Sequence, residues 1–593
     1  MLAGRCRVKP VWLALAAAVM ARAGSDSKIP TFAHEIAPII YQNCAACHRP
    51  GQAGPFPLLS YADVKKHARQ IADVTRRRYM PPWPPEAGYG EFQDERRLTD
   101  EQIRLIGDWV RAGAPEGNVA DEPPAPQFAS NWQLGEPDLV LQAARPFPLA
   151  AAGPDVFWNF LFRPDLKVSR YVRAIEIRPG TSGRVHHANL YIDRTGATQR
   201  SETTPGAGFP GMELTIDRNP LDPESHFLFW KPGSEPYSEP EGLSWRLDPG
   251  NLLVLNAHMQ PGGKAEEVQP SMGLYFTDKP PTKFPLLMEL EHDGALNIPA
   301  GARDFLIADD FRLPEDVDVL AVYPHAHYLG KLLEGYAALP DGTRKWLIRI
   351  RDWDLNWQGV YRYRAPVFLP KGSVISMRYH YDNSADNPRN PNSPPKRVRA
   401  GNQATDEMGH LWLQVLPRGR GDHRRPLQEA ILRRQLEKYP NDFFAHLNLG
   451  ALLLSRLDAQ GAAAMLERAT AIDPARPEAH DMLGEAWAAL GRWSDAMEQF
   501  RLALRARSDY VDARYNLARA LAKFGRYEEA VENFRGVAAA YPDSARLQNE
   551  FGELLARDGK YAEAIGQFDK ALAIDPSDET AKKNREFVRA AKP

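Results

Sequence analysis

The sequence lacks several features that would define a protein class. Only three cysteines occur in 593 residues, so a disulfide framework cannot hold the fold. No long basic run and no stripe of basic and aromatic residues is present, which argues against nucleic acid as a partner. No H-E-x-x-H motif is present, which disfavours a zinc hydrolase. The length and the balanced composition, 43% hydrophobic and 25% charged, predict three or four globular domains.

The one long apolar run lies at the N-terminus. Residues 1–23 combine basic residues with the apolar stretch 11–20 and the small-residue sequence Ala21-Arg22-Ala23. This pattern is typical of a secretory signal peptide, and the apolar run is too short for a comfortable membrane span. We therefore expect a periplasmic or secreted protein with no transmembrane segment after cleavage. An uncleaved anchor is the alternative.

Two of the cysteines stand in the pentapeptide Cys44-Ala45-Ala46-Cys47-His48, and the third, Cys6, leaves with the signal peptide. In an exported chain this spacing indicates one covalently bound haem c, in which Cys44 and Cys47 form thioethers and His48 ligates the iron. The alternative is a structural disulfide between the two cysteines, which the adjacent histidine disfavours.

The residues around this motif resemble a small α-helical cytochrome c domain at 28–115. A short helix at 34–40 would lead into the haem motif, and a capped amphipathic helix at 98–110 would close the domain. We expect Met80 to be the sixth iron ligand, because its prolyl loop would hold the thioether rigidly. His67 is the competing ligand.

A proline-rich, acidic linker at 116–130 separates this domain from a β-rich region. From residue 131 to about 416, short alternating strands between proline and glycine turns predict β-sandwich architecture. The stretches 252–258 and 374–381 are examples of such strands.

Histidines form motifs within the β-rich region. His325 and His327 follow a predicted strand at 317–322, so they would project from one face and could hold one metal ion. His186 and His187 are adjacent, and adjacent side chains of a regular strand point to opposite faces. This pair can share a metal only at a strand end, a bulge or a twist.

The order His-His, His, His-x-His, Glu-Met resembles the copper type II, ascorbate-dependent monooxygenases, the family of peptidylglycine α-hydroxylating and dopamine β-monooxygenases. The resemblance covers about half the chain and implies two jelly-roll-like β-sandwich domains, 131–281 and 282–418. It implies two copper ions: an electron-transfer copper bound by His186, His187 and His258, and a catalytic copper bound by His325, His327 and Met408. Imidazole suits both copper oxidation states, and a thioether favours Cu(I). The implied reaction is hydroxylation of an activated C–H bond by O2.

The chain also departs from that family. Tyr323 stands where the peptide-amidating enzyme has a substrate-binding arginine, so the substrate is an unknown small molecule or a peptide-like compound. The attached haem suggests that an external donor supplies electrons through haem to the first copper. His410 shares the predicted strand face of Met408 and is a candidate supporting group, and His380 is a candidate cleft residue, although both are more simply ordinary polar residues. The alternative function is a non-catalytic redox or copper-binding scaffold.

The last region, 426–593, has a repeat of 34 residues. Three positions recur at this spacing. A small residue stands at Gly450, Gly484, Ala518 and Gly552, an alanine at Ala462, Ala496, Ala530 and Ala564, and a bulky apolar residue at Leu466, Phe500, Phe534 and Phe568. This is the tetratricopeptide pattern of paired helices. We expect four repeats at 442–575 and a capping helix, stacked into a solenoid that binds a protein partner or supports the rest of the chain.

Overall fold

The computed structural model of the chain describes residues 29–50, 52, 54–128, 132–180, 183–212 and 222–591. The predicted signal peptide at 1–23 lies outside this range. The chain divides into two compact units, one formed by Met1–Trp83 with Arg96–Gln127 and one by Pro84–Glu95 with Phe128–Pro593. Within the described residues, no helix has the length and apolarity needed to cross a membrane.

The first unit is helical. Its elements are a π-helical turn at Phe32–Ile36, α1 (Ala37–Asn43), α2 (Tyr61–Lys66), α3 (Ala68–Arg76), α4 (Asp100–Arg111) and a 3-10 turn at Val119–Asp121. Helix α4 starts at a capping box, in which the Thr99 side chain accepts from the Gln102 amide and the Gln102 side chain accepts from the Thr99 amide. Its buried Ile106 and Trp109 pack with Phe32, so the two ends of this unit share one core.

Within its described residues, the second unit has twelve strands between residues 139 and 277. These are β1 (Leu139–Gln142), β2 (Phe147–Leu149), β3 (Val156–Phe162), β4 (Arg170–Arg178), β5 (Val185–Asp193), β6 (Phe209–Pro210), β7 (Phe229–Trp230), β8 (Tyr237–Ser238), β9 (Trp245–Leu247), β10 (Leu252–Met259), β11 (Glu266–Val268) and β12 (Ser271–Thr277). One antiparallel sheet has the order β1-β12-β4-β8, with β9 also on β4, and another has the order β6-β3-β10-β5-β7. A shared apolar core that includes Phe160, Val172, Leu255 and Leu274 joins the two sheets face to face.

Ten further strands follow. These are β13 (Leu286–Glu291), β14 (Asn297–Ile298), β15 (Phe305–Arg312), β16 (Val317–Ala326), β17 (Gly330–Ala338), β18 (Arg344–Ile350), β19 (Tyr361–Leu369), β20 (Val374–Tyr381), β21 (Val398–Arg399) and β22 (Gly409–Pro417). Eight of them form two four-stranded antiparallel sheets, β13-β22-β16-β19 and β15-β20-β17-β18, and β14 pairs with β21. The sheets approach closely at Gly409, where an added Cβ would lie 2.2 Å from Ile307, so this position needs glycine. The chain is therefore β-rich from about residue 139 to 417.

The segment Pro84–Glu95 belongs to this second unit, although the sequence places it inside the predicted range 28–115. It covers the edge strand β19: the Gln93 amide donates to the Arg362 carbonyl at 2.7 Å, and the Arg364 amide donates to the Glu91 carbonyl at 2.9 Å. Phe92 is buried against Tyr363. An edge strand that is paired in this way is closed to other strands.

The C-terminal region consists of helices. These are α5 (Arg424–Lys438), α6 (Phe443–Ser455), α7 (Ala459–Ile472), α8 (Pro477–Ala489), α9 (Trp493–Ala506), α10 (Val511–Lys523), α11 (Tyr527–Ala540), α12 (Ala545–Arg557), α13 (Tyr561–Ile574) and α14 (Glu579–Ala591). The repeated glycines have a steric cause, because a Cβ on Gly484 would lie 2.5 Å from Phe500 and one on Gly552 would lie 2.5 Å from Phe568.

Helix α5 joins the repeats to the β-rich region through buried charges. The Lys438 ammonium lies 2.7 Å from Glu291 Oε1 and 3.0 Å from Asp309 Oδ2. The Tyr439 hydroxyl donates to Glu291 Oε2 at 2.8 Å. Burial raises the pKa of Glu291, but the bonds from Lys438 and other donors outweigh burial and leave it below its usual value.

Candidate metal centres

A β-bulge brings together the first group of histidines. His187 lies directly opposite His258 in the pairing of β5 with β10, and the register then skips His186, so that Met259 pairs with Val185. His186 is therefore the extra residue of the bulge, which turns it toward the side of its neighbour. One ligand atom from each of His186, His187 and His258 lies within 4.8 Å of the other two. We call these three residues the first cluster.

The first cluster presents neutral imidazoles. Burial lowers the pKa of His186 to about 4, with His258 as the next cause. Burial also lowers the pKa of His187, and the charges that His258, His186, His325 and His327 would carry lower it further. Because a metal binds the unprotonated ring, these histidines are ready to bind near neutral pH.

Asp155 orients the third ring of the first cluster. His258 Nε2 lies 2.7 Å from Asp155 Oδ2, so it carries the proton and donates it. His258 Nδ1 is buried and has no hydrogen-bond partner among the described residues. His186 Nδ1 and His187 Nδ1 lie 3.1 Å apart. A carboxylate that holds the far nitrogen of a histidine is the usual partner of a metal ligand, so this donor set fits a bound metal.

His325 and His327 form the core of a second group at the end of β16. Their ring centroids lie 5.2 Å apart. His325 Nδ1 lies 2.8 Å from Gln358 Oε1, and His327 Nδ1 lies 3.1 Å from the Asp406 carbonyl. Both Nδ1 atoms therefore donate, and each Nε2 is left as the ligand atom.

Met408 lies next to the strand pair that carries His325. His325 pairs with His410 and Ala326 with Gly409, and both strands end there, with His327 directly after β16 and Met408 directly before β22. Continuation of this register by one residue would place Met408 opposite His327. Residues opposite each other on antiparallel strands share a face, and so do residues two apart. Met408 is buried and its carbonyl accepts from the Tyr381 hydroxyl at 2.8 Å. We call His325, His327 and Met408 the second cluster.

Glu407 holds the loop that carries Met408, a role that the sequence does not reveal. Its carboxylate is fully buried and accepts the amides of His327, Leu329 and Met408. Burial raises the pKa of Glu407 to about 8. The only signal in the sequence is its place before Met408, because its other partners, His327 and Leu329, lie about eighty residues away along the chain.

His410 and His380 are occupied by carboxylates. His410 Nδ1 lies 3.0 Å from Glu289 Oε1 and its Nε2 lies 3.0 Å from Asp293 Oδ2. Burial lowers the pKa of His410, but Glu289 and Asp293 outweigh it and raise the pKa to about 9. His410 therefore carries a positive charge at neutral pH, and its ring centroid lies 6.1 Å from that of His325. His380 pairs with the exposed Asp304 at 2.5 Å, as an ordinary polar residue does.

The predicted haem motif lies where α1 ends in the first unit. Cys44 and Cys47 are free thiols, and burial raises the pKa of Cys44 to about 12. His48 Nδ1 lies 3.1 Å from the Phe56 carbonyl, so it donates there and leaves Nε2 as a ligand atom. Gly54 lies against this turn, because a Cβ there would be 2.8 Å from the Cys47 carbonyl and from His48 Nδ1.

The two candidates for the sixth haem ligand differ in their surroundings. His67 lies at the junction of α2 and α3, and its ring stacks on Phe56 at 3.7 Å, with Phe56 in turn 5.0 Å from the His48 ring. Met80 lies on the loop after α3, where its amide donates to the Val74 carbonyl at 3.3 Å. The loop leaves the Met80 thioether partly buried.

Comparison with known proteins assigns the C-terminal region. Residues 447–511 and 515–579 match a family model for the tetratricopeptide repeat. No curated protein matches the chain. Among solved structures, the chain is similar to YrrB, described as a TPR protein with an unusual peptide-binding site, at 22% identity over 27% of this chain and 84% of that one, with a TM-score of 0.25.

Two further solved structures give similar values. MamA from Desulfovibrio magneticus shows 24% identity over 25% of this chain and 84% of that one, with a TM-score of 0.24. A TPR protein of Thermus thermophilus shows 21% identity over 28% of this chain and 91% of that one, with a TM-score of 0.24. The assignment rests on the family model, and it confirms that the C-terminal region of this chain is made of tetratricopeptide repeats.

Proposed function

We propose that this chain is an exported copper-dependent monooxygenase that hydroxylates an activated C–H bond of an organic substrate. The first cluster carries the proposal: three largely buried, neutral histidines have ligand atoms within 4.8 Å of one another, and one of these rings has a buried nitrogen without a partner. Two bound copper ions would supply one-electron chemistry and activate O2, with one oxygen atom entering the substrate and the other leaving as water.

The side chains around both clusters support metal binding by fixing which nitrogen is free. Asp155 holds His258, Gln358 holds His325, and the Asp406 carbonyl holds His327. These partners prevent the rings from rotating and keep the ligand nitrogens unprotonated. Histidines alone define the first cluster, whereas Met408 adds a soft thioether to the second. That difference favours Cu(I) at the second cluster, where O2 would bind.

The two pairs of facing sheets are, in this proposal, the copper domains 131–281 and 282–418 of a jelly-roll-like architecture. The first cluster lies on β5 and β10. In the second cluster, His325 lies on β16, His327 directly follows β16 and Met408 directly precedes β22. The first cluster and His325 therefore rest on paired strands at the centre of a sheet, which hold ligands rigidly, and Glu407 fixes the segments that carry His327 and Met408 by accepting their amides.

Cys44, Cys47 and His48 would hold one haem c, and an external donor would reduce this haem. Each turnover would need two electrons, and a haem held by these residues would supply them one at a time. We expect anaerobically reduced haem to become reoxidised in proportion to product when O2 and substrate are added. Haem that stays reduced while product forms would contradict this electron route.

Variants of the two candidate ligands decide the sixth position of the haem. If Met80 is the ligand, Met80→Ala removes the thioether-to-iron charge-transfer band of the oxidised protein and His67→Ala retains it. The reverse result, in which only His67→Ala changes the ligand-sensitive bands, would assign the iron to His67.

The test of the monooxygenase proposal is substrate-dependent O2 uptake by the copper-loaded protein, with a panel of organic compounds that carry activated C–H bonds. Met408→Leu conserves volume and should abolish uptake, and Met377→Leu, at a buried methionine of β20, should preserve it. Uptake that is absent with every compound, or that survives in Met408→Leu, would contradict the proposal.

The tetratricopeptide match favours a second role in binding a protein partner. In a non-catalytic scaffold, the metals and haem would serve assembly or redox sensing, and the repeats would hold the partner. The two roles separate in one experiment: a scaffold binds copper and its partner but shows no substrate-dependent O2 uptake.

A further inference from the structure

Two aromatic rings lie in an unbroken series between the two clusters. The ring centroids of His187 and Phe229 are 5.9 Å apart, those of Phe229 and Tyr323 are 5.3 Å apart, and those of Tyr323 and His325 are 6.0 Å apart. Each of these separations falls within the range of contacting aromatic rings. One ligand of the first cluster is thus connected to one ligand of the second cluster through side-chain contacts alone.

The two bridging rings come from different sheets. Phe229 lies on β7 and pairs with Asn189, two residues beyond His187 on β5. Tyr323 lies on β16, two residues before His325, and its hydroxyl donates to Gln358 Oε1 at 2.7 Å. The same Gln358 oxygen accepts from His325. Phe229 is therefore held by the strand that pairs with the strand of His187. Tyr323 is held by the same strand as His325.

The chemistry of Phe229 and Tyr323 suits electron transfer in which neither ring becomes a stable radical. Phe229 has no ionisable group. The Tyr323 hydroxyl faces an amide oxygen, which is not a base, so oxidation of this ring would have no nearby acceptor for its proton. Neither ring carries a charge, so little rearrangement of the surrounding dipoles is needed when an electron passes.

We propose that Phe229 and Tyr323 form the electron-transfer contact between the two metal clusters. The step is one electron leaving Cu(I) at the first cluster, which becomes Cu(II), and reducing the one-electron-oxidised second cluster; no proton moves. This inference rests on the proposed function, because it needs copper at both clusters. It also gives Tyr323 a role in this chain at the position where the resemblance would place a substrate-binding arginine.

Substitutions test the bridge against a matched control. Phe229→Leu and Tyr323→Leu remove one ring each, and Tyr323→Phe removes only the hydroxyl. Phe157→Leu is the control, because the Phe157 ring stacks on His258 at 4.4 Å but lies outside the series of rings from His187 to His325. Far-UV circular dichroism and the number of copper ions per chain show whether each variant keeps its fold and both sites.

The measurement is the rate of electron redistribution between the two copper ions after one electron per molecule is injected into the oxidised holoprotein, followed by freeze-quench EPR without substrate or O2. We expect the rate to fall severalfold or more in Phe229→Leu and Tyr323→Leu, and to stay at the wild-type value in Phe157→Leu and Tyr323→Phe.

Two results would overturn the bridge: equal rates in all variants, or an equal fall in Phe157→Leu and Phe229→Leu. The proposed function fails in a different way. If the wild-type protein does not bind two copper ions, both proposals fall together. If it binds two copper ions and hydroxylates substrate, but the rate of electron transfer between the ions is the same in Phe229→Leu and Tyr323→Leu as in the wild type, only the proposed electron-transfer contact is wrong.

Discussion

Replacement of Asp155 tests whether the first cluster is a metal site in which Asp155 orients the His258 ring. Asp155 Oδ2 lies 2.7 Å from His258 Nε2, and the side chain is 35% exposed. Asp155→Asn keeps the size of the side chain but removes the charge that makes His258 a better donor, and it allows the amide nitrogen to face the ring. The free His258 Nδ1 would then carry the proton in part of the molecules.

The magnitude follows from this geometry. Loss of a hydrogen-bonding partner behind a metal-binding histidine lowers metal affinity by roughly 10- to 100-fold. Because solvent reaches Asp155 and screens its charge, we expect the lower end, roughly tenfold or about 1.4 kcal/mol. The effect should be confined to the first cluster, since Gln358 and the Asp406 carbonyl hold the histidines of the second cluster.

The assay is a competitive titration of Cu(I) against a chelator of known affinity, with both copper sites resolved. The control is Asp304→Asn, because Asp304 holds His380 through the same carboxylate–imidazole contact at 2.5 Å, on a histidine outside both clusters. Unchanged affinity in Asp155→Asn, or an equal loss in Asp304→Asn, would refute the reasoning.

Three further predictions concern stability and pH. Lys438→Met removes the buried cation of Glu291 and one of two cations of Asp309, which keeps Arg434, so urea unfolding should show a loss of about 3 kcal/mol. Lys279→Met, which breaks a fully exposed pair with Glu241, should leave stability close to the wild-type value, and equal losses in the two variants would contradict the expectation. Gly484→Ala forces a methyl group against Phe500 and should cost about 1–3 kcal/mol. The control is Gly566→Ala, where the added methyl group meets no atom within 4 Å and should stabilise the helix by up to about 1 kcal/mol. A Gly484→Ala protein as stable as the wild type would show that the helices are less closely packed. The pKa of His410 is raised to about 9, so its stabilising contribution is complete below its unfolded pKa near 6.5 and is lost as pH rises to about 9. The metal-free wild-type protein should therefore lose stability between pH 6.5 and 9 more steeply than His410→Gln, and parallel pH profiles would contradict this.

The tetratricopeptide region was predictable because its information is local. Each helix repeats its contacts every 34 residues, and the small residue at Gly484 and the large one at Phe500 lie in the same helical pair. A periodic pattern of this kind specifies helix positions directly. The helices α6 to α14 accordingly follow the predicted repeats and the predicted capping helix.

The histidines were found from the sequence, but their arrangement was not. Whether His186 and His187 could share a metal depended on a bulge, and that bulge arises from the pairing of β5 with β10, which is distant in the chain. The groups that orient the rings are also distant, since Asp155 lies 103 positions from His258 and Gln358 lies 33 positions from His325. No short sequence pattern connects residues that only the sheets bring together.

Domain limits were hard to predict for a related reason. The segment Pro84–Glu95 lies between α3 and α4 of the first unit in sequence, yet its backbone pairs with β19 more than 250 residues later. Phe92 gives a local apolar signal, but nothing near it shows that its neighbour is Tyr363. Strand pairing at a sheet edge is set by the whole fold and not by the composition of the added segment.

Copper binding by the purified protein tests the central claim most directly. We predict two copper ions per chain by metal analysis, loss of one ion in His186→Ala/His187→Ala/His258→Ala, and loss of the other in His325→Ala/His327→Ala, with the circular dichroism spectrum retained in each. A protein that binds no copper, or that keeps both ions in either variant, would contradict the account.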